Sequence, residues 1–256
     1  MSAEARQRRQ YYLLRAFVGL LGLGAIVWGG VLLPLFWEQA PLGRVALEIV
    51  RGRTFKIQSL DDAVRAVAAK RPTFCNPTER HDEVVVRMAM VNEALAKTDR
   101  ALVRSLYDPL RDATRASLEC SPADSFAWLT LYWLDTAKYG ATPENERYLR
   151  LSYATGPNEG WLGSWRFRLA IATFDQLPPD LASDAIAEFV RLVDAGWLQS
   201  EAAQIFVDAR PAVQKRIVAE LAQAKPATRQ SFGRTLYDLG QNFDIPGFEQ
   251  PTRPWR

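Results

Sequence analysis

Ala16 to Trp37 reads AFVGLLGLGAIVWGGVLLPLFW, 22 residues without a charge and without Asn, Gln or His. A helix needs about 20 apolar residues to cross the hydrocarbon core of a bilayer. The run therefore predicts one transmembrane helix over 16–37, with the lipid bilayer as the chain's first partner. Only 15 residues precede it and 219 follow, so the working part is a single body tethered at its N-terminus. A secretory signal has an apolar region of about 7–15 residues and a small-residue cleavage site. This run is longer and leads through Leu35-Phe36-Trp37 into Glu38-Gln39-Ala40-Pro41 with no A-x-A pattern, so an uncleaved anchor is expected. Gly19, Gly22, Gly24, Gly29 and Gly30 would weaken a soluble helix but are ordinary in a span. Tyr11, Tyr12 and Trp37 flank the run as interfacial aromatics do.

The flanks give an orientation. Arg6, Arg8, Arg9 and Arg15 precede the run against Glu4 alone; Arg44 and Arg51 follow it against Glu38 and Glu48. The positive-inside rule places the N-terminus in the cytoplasm and the body outside it. The simplest version is a single-pass protein of a bacterial inner membrane with a periplasmic body. Beyond residue 15 the chain holds 28 basic and 28 acidic residues. A nucleic-acid binder carries a basic footprint on the domain itself, so no nucleic-acid partner is expected. His81 is the one histidine, which weighs against histidine-based zinc sites and serine or cysteine triads. It sits in Thr78-Glu79-Arg80-His81-Asp82-Glu83 and reads as a solvated residue near a helix start. The body has no glycine-rich phosphate loop. No cofactor and no metal are expected.

The rest reads as helices with Pro and Gly punctuation, an all-α chain. Residues 1–15 are a cytoplasmic tail. Residues 38–72 read as a juxtamembrane helical connector, with Leu42, Val45, Leu47, Ile49 and Val50 before Gly52, then Leu60, Val64 and Val67 at helical spacing before Arg71-Pro72. Residues 73–240 read as one body of stacked antiparallel helix pairs. Within it Val84, Met88, Val91 and Leu95 mark one helix, and Leu102, Leu106, Leu110 and Ala113 the next, with a kink expected at Pro109. Ser121-Pro122-Ala123-Asp124 reads as a helix start capped by Ser121, and Thr142-Pro143-Glu144 as another. Asn158-Glu159 opens a further helix. Pro179, Pro211 and Pro226 open three more. Residues 241–256 have three prolines and no period, and read as an extended, loosely packed tail. The one period-2 stretch, Thr54 to Ile57, is too short to count as a strand.

Residues 122–157 fit one tetratricopeptide-like unit: Trp128, Leu131, Tyr132, Gly140 and Pro157 sit near the positions of that 34-residue repeat. The segment Leu149 to Arg168, LRLSYATGPNEGWLGSWRFR, together with Cys120-Ser-Pro-Ala-Asp-Ser-Phe-Ala-Trp-Leu129, resembles a group of small membrane-anchored, tetratricopeptide-like proteins of Gram-negative bacteria associated with exopolysaccharide biosynthesis and export. The resemblance spans about residues 40–175. It implies an envelope location and an accessory role in exopolysaccharide production, and it brings no catalytic residues with it.

Trp161, Trp165, Arg166 and Arg168 form the candidate interaction surface. The two tryptophans are i, i+4 and share a face, as a core stripe also would; the arginines fall on other faces and are read as exposed. Glu144, Glu146 and Glu159 lie near aromatics, and a glycoside-cleaving enzyme needs two flanking carboxylates. All three also sit at helix starts, where acids favour the dipole. Cys75 and Cys120, the only cysteines, are expected to form a disulfide. Both precede helix starts two helices apart, and both lie on the side read as oxidising. The leading reading is a membrane-anchored periplasmic scaffold that binds another envelope protein in polysaccharide assembly. The alternatives are a periplasmic glycan-acting enzyme and an accessory subunit of an unrelated membrane complex.

Overall fold

The computed structural model describes residues 3–69, 75–196 and 199–251, with the side chains of 3–10 and 32–41 outside the description. The side chains of Arg6, Arg8, Arg9 and Trp37, the end of the connector at 70–72, and tail residues 252–256 thus lie outside the described residues. The chain is all-helical, with no strand among the described residues. Thr54 to Lys56 form a plain link. The α-helices are α1 (Ala3–Val50), α2 (Ile57–Ala68), α3 (Pro77–Ala96), α4 (Arg100–Cys120), α5 (Ser125–Tyr139), α6 (Pro143–Thr155), α7 (Gly160–Ala172), α8 (Pro179–Ala195), α9 (Gln199–Asp208), α10 (Pro211–Leu221) and α11 (Pro226–Asp238), with a 3-10 turn at Phe174–Gln176. They fall into two compact units, Met1–Leu110 and Arg111–Arg256.

In the first unit, Tyr11–Val31 is long and apolar enough to cross a membrane, and none of it is buried by the rest of the protein. α1 runs past Trp37 as one helix to Val50, and the described part of 38–72 is helical again in α2. Leu42 and Ala46 of α1 are 1% and 3% exposed, and with Leu60 and Val64 of α2 they are buried in the same unit as Val84, Met88 and Val91 of α3. The i, i+4 pairs Leu42/Ala46 and Leu60/Val64 each put one narrow apolar face inward, while Leu47 and Val50 turn out to solvent. Gly43 permits close approach: a side chain there would start 3.0 Å from Asp82 Oδ2. Asn76 caps α3, accepting from the Thr78 and Glu79 amides. α3 and α4 are joined by a tight turn through Thr98, which takes φ 58°, and Asp99 Oδ1 accepts the Leu102 amide at 3.0 Å. α4 runs through Pro109 without ending, and the border between the units lies beside that proline, inside the segment read as one body.

The second unit holds the hairpins. α5 and α6, linked by residues 140–142, pack on each other, an arrangement compatible with a tetratricopeptide-like pair. The α5 start lies later than the sequence pattern indicates. Asp124, not Ser121, is the cap, accepting the Ala127 amide at 3.0 Å, and its other oxygen takes the Ser117 hydroxyl at 2.8 Å. α6 begins as read, with Thr142 and Asn145 closing a reciprocal capping box. Further on, Phe189 of α8, Phe206 of α9 and Phe232 of α11 form an aromatic cluster with centroids 5.5 to 6.4 Å apart, extended by Phe167 of α7 at 4.7 Å from Phe189. The tail is not loose over its described part: Ile245 is 1% exposed and the Phe243 ring meets Phe206 edge-on at 4.8 Å.

Leu134 is fully buried on α5, whereas Trp128 is half-buried, stacked on Tyr148 at 5.9 Å. Leu134→Ala should cost about 2–5 kcal/mol, as buried leucine truncations do. Trp128→Ala should cost less, about 1–2 kcal/mol, the scale of an aromatic pair plus partial burial. Chemical denaturation of both variants measures this, and the reverse order would displace Leu134 from the core.

Candidate functional site

The four residues read as an interaction surface all lie on α7, and the helix separates them. Trp161 is half-buried against Phe126 of α5, centroids 5.4 Å apart. Trp165 keeps 37% of its surface exposed and meets the same ring edge-on at 6.2 Å. Arg168 is exposed and pairs with Glu201 of α9 at 3.4 Å. Arg166, read as exposed, is instead fully buried. Its neighbours explain this. Leu162, Phe167 and Ala170 are also fully buried, so α7 is covered on more than one side, and a buried guanidinium persists only when its donors are met.

They are met from two elements. Arg166 Nη1 donates to the Ser152 carbonyl at 2.8 Å and Nη2 to the Gly156 carbonyl at 2.8 Å, both at the end of α6. Nη2 and Nε donate to Glu188 Oε1 of α8 at 2.6 and 3.0 Å. The Tyr153 ring lies 4.9 Å from the guanidinium carbon. Its hydroxyl is buried beside Glu188, and burial pushes that phenol well above its ordinary range. Burial also pushes the Glu188 carboxyl up, opposed by the adjacent guanidinium. Two glycines make room. A Cβ on Gly163 would sit 3.1 Å from Glu188 Oε1, and one on Gly156 would sit 2.5 Å from Ser125 Oγ. Ser152 Oγ donates to the Ser125 carbonyl at 2.9 Å, and Ser125 Oγ donates to Glu159 Oε2 at 2.7 Å. One connected polar network thus joins the start of α5, the end of α6, the start of α7 and the middle of α8.

Beside it opens a cleft of about 280 Å³, lined by Pro157, Glu159, Gly160, Glu188, Arg191 and Leu192. Glu159 and Glu188 are the two carboxylates brought to one place. Glu188 is held by Arg166 and Glu159 accepts from Ser125. Glu144 and Glu146 lie in the first turn of α6, where acids complement the helix dipole. Asn158 does not cap α7; that position belongs to Glu159, whose side chain is turned away to Ser125. No group of three or more metal-ligating side chains occurs among the described residues. Cys75 and Cys120 are both in the disulfide-bonded form.

Glu188 and Ser152 carried no mark in the sequence reading, although Glu188 had a visible one. It stands on the apolar stripe Leu181, Ala185, Leu192 at helical spacing, a charge where only buried residues belong. Against family models, curated proteins and solved structures, the chain matches none.

Removing one partner of a buried pair strands the other charge, at about 3–5 kcal/mol. Arg166→Ala should therefore destabilise the protein by that amount, while Arg166→Met combined with Glu188→Leu should recover most of it. Thermal and chemical unfolding of the single and double variants measures this. A loss under about 1 kcal/mol for Arg166→Ala would contradict the burial of the pair.

Proposed function

We propose that this protein is a membrane-anchored helical scaffold with its body in the periplasm, acting as a non-enzymatic accessory protein that binds another envelope protein in polysaccharide biosynthesis or export. The observation that carries the reading is the division of labour within α1. Its Tyr11–Val31 stretch is apolar and bare, and the same helix then enters a packed core at Leu42. An apolar surface of that length is stable in lipid and costly in water. The arginine-rich residues before it favour a cytoplasmic N-terminus. The oxidised state of Cys75 and Cys120 fits a compartment where disulfides persist. The carboxylates that an enzyme reading would recruit, Glu159 and Glu188, are committed to structural bonds, which favours the scaffold. The link to polysaccharide assembly rests on the resemblance carried by residues 120–129 and 149–168. The exposed edge of α7 at Trp165 and Arg168 is the part of the candidate surface that remains open to a partner.

Three measurements test this. A reporter active only in the periplasm, fused after Arg256, should be active, and activity from the matching cytoplasmic reporter instead would reverse the topology. Protein alkylated without reductant should show neither Cys75 nor Cys120 modified by mass spectrometry; two modified cysteines would remove the oxidising-compartment argument. For the scaffold role itself, cross-linking in intact membranes should join the Trp165 edge of the protein to a membrane protein of polysaccharide assembly. Cross-links confined to unrelated complexes would overturn it.

A further inference from the structure

Residues 241–251 follow Gly240, which ends the last helical turn at φ 79°, and they cross the second unit as an extended segment without secondary structure. Their attachment is that of a bound peptide. Side chains alternate: Asn242 and Asp244 face solvent, while Phe243 and Ile245 point inward. Phe243 meets Phe206 of α9, and Ile245 is 1% exposed. Phe248 lies over Gly233 of α11, so close that a Cβ there would fall 2.3 Å from its ring. Gly233 is thus the floor of a slot that admits an aromatic ring because it has no side chain. The backbone is held by the Gln241 amide to the Leu236 carbonyl, by the Phe248 amide to the Ile245 carbonyl and by Gln250 Nε2 to the Phe243 carbonyl at 2.9 Å. Beneath Gly247, which lies close to the Arg229 guanidinium, the Arg229 Nε is buried with no acceptor. The same guanidinium donates through Nη1 to the Ala222 carbonyl at 2.8 Å.

We propose that the face of α9 and α11 is a binding groove for an extended peptide with apolar side chains at i, i+2 and i+5 (Phe243, Ile245 and Phe248). The chain's own 241–251 segment is its ligand in cis, and the same segment of a second copy is its ligand in trans. Recognition is by side-chain pockets: an edge-on aromatic contact at Phe206, an aliphatic site for Ile245 and the Gly233 slot. Such use of an extended segment by a preformed groove is a known mode of peptide binding, and exchanging an identical element between copies adds no new kind of contact. The cis segment has the advantage of high effective concentration, so exchange needs the own segment displaced or copies crowded together. This inference uses only the second unit and holds whether or not the polysaccharide reading does.

The test uses the full chain in detergent and a fluorescein-labelled synthetic peptide of residues 241–251. A Phe243→Ala/Phe248→Ala variant loosens its own segment and leaves the groove open. It should bind the peptide saturably by fluorescence anisotropy, at least about tenfold more tightly than the parent chain, whose own segment competes. Adding Gly233→Val to that variant should abolish binding, because the new side chain fills the slot. Mixing the Phe243→Ala/Phe248→Ala chain (open groove) with a Gly233→Val chain (blocked groove, free segment) should give a heterodimer by light scattering that neither chain forms alone. No peptide binding by the folded open-groove variant, its helicity unchanged by circular dichroism, overturns the groove. Peptide binding without the heterodimer overturns exchange between copies. If the double variant unfolds, a protease site inserted between Gly240 and Gln241 of the parent chain decides: after cleavage the labelled peptide should replace the fragment, and failure to do so overturns the proposal.

Discussion

The second unit depends on one buried guanidinium. Arg166 is fully buried, and its donors reach the end of α6 and the middle of α8 at once. A charge in that position is stable only because each donor has an acceptor. The consequence is directional. Apolar packing alone would let α6, α7 and α8 settle in several registers of similar energy, since hydrophobic burial is non-directional. A planar fork that must reach two backbone carbonyls and a carboxylate together tolerates far fewer arrangements. The surrounding residues answer to it: Gly163 is small because Glu188 lies against it, and Gly156 is small because Ser125 does.

The same network also holds both carboxylates that line the cleft. Glu188 is fixed by two charge-assisted bonds, and Glu159 takes the Ser125 hydroxyl. Both line the cleft while tying the start of α5, the end of α6 and the start of α7 to α8.

Much of the fold was legible because its signals are local. Thr142-Pro143 announced α6 through a cap and a pre-set φ, and the glycine closures at 140, 196 and 240 needed only positive φ. The start of α5 was misread because Ser121-Pro122 and Asp124 both satisfy cap chemistry. The choice between them is made by Ser117, one turn back on α4, whose hydroxyl bonds Asp124. The outward reading of Arg166 failed for a similar reason. Arginine is buried only when paired, and its partner lies 22 residues away on another helix. The apolar faces within residues 38–72 are narrow, and nothing within that stretch states that α3 packs against them. The tail, without period, carried its information in single aromatics whose receiving surfaces, Phe206 and Gly233, are remote in sequence.

The continuity of α1 has a mechanical consequence. An unbroken helix of 48 residues extends about 72 Å at 1.5 Å per residue, and between its bare half and Leu42 it carries Pro34 and Pro41, each of which removes one intrahelical hydrogen bond. Its far end is clamped by burial of Leu42 and Ala46 and by the seat of Asp82 against Gly43. A change in the tilt or rotation of the bare half reaches the contact between α1 and α3 through these two prolines, where a helix bends most readily. Whatever grips the apolar half of this helix thereby acquires a handle on the packing of the first unit.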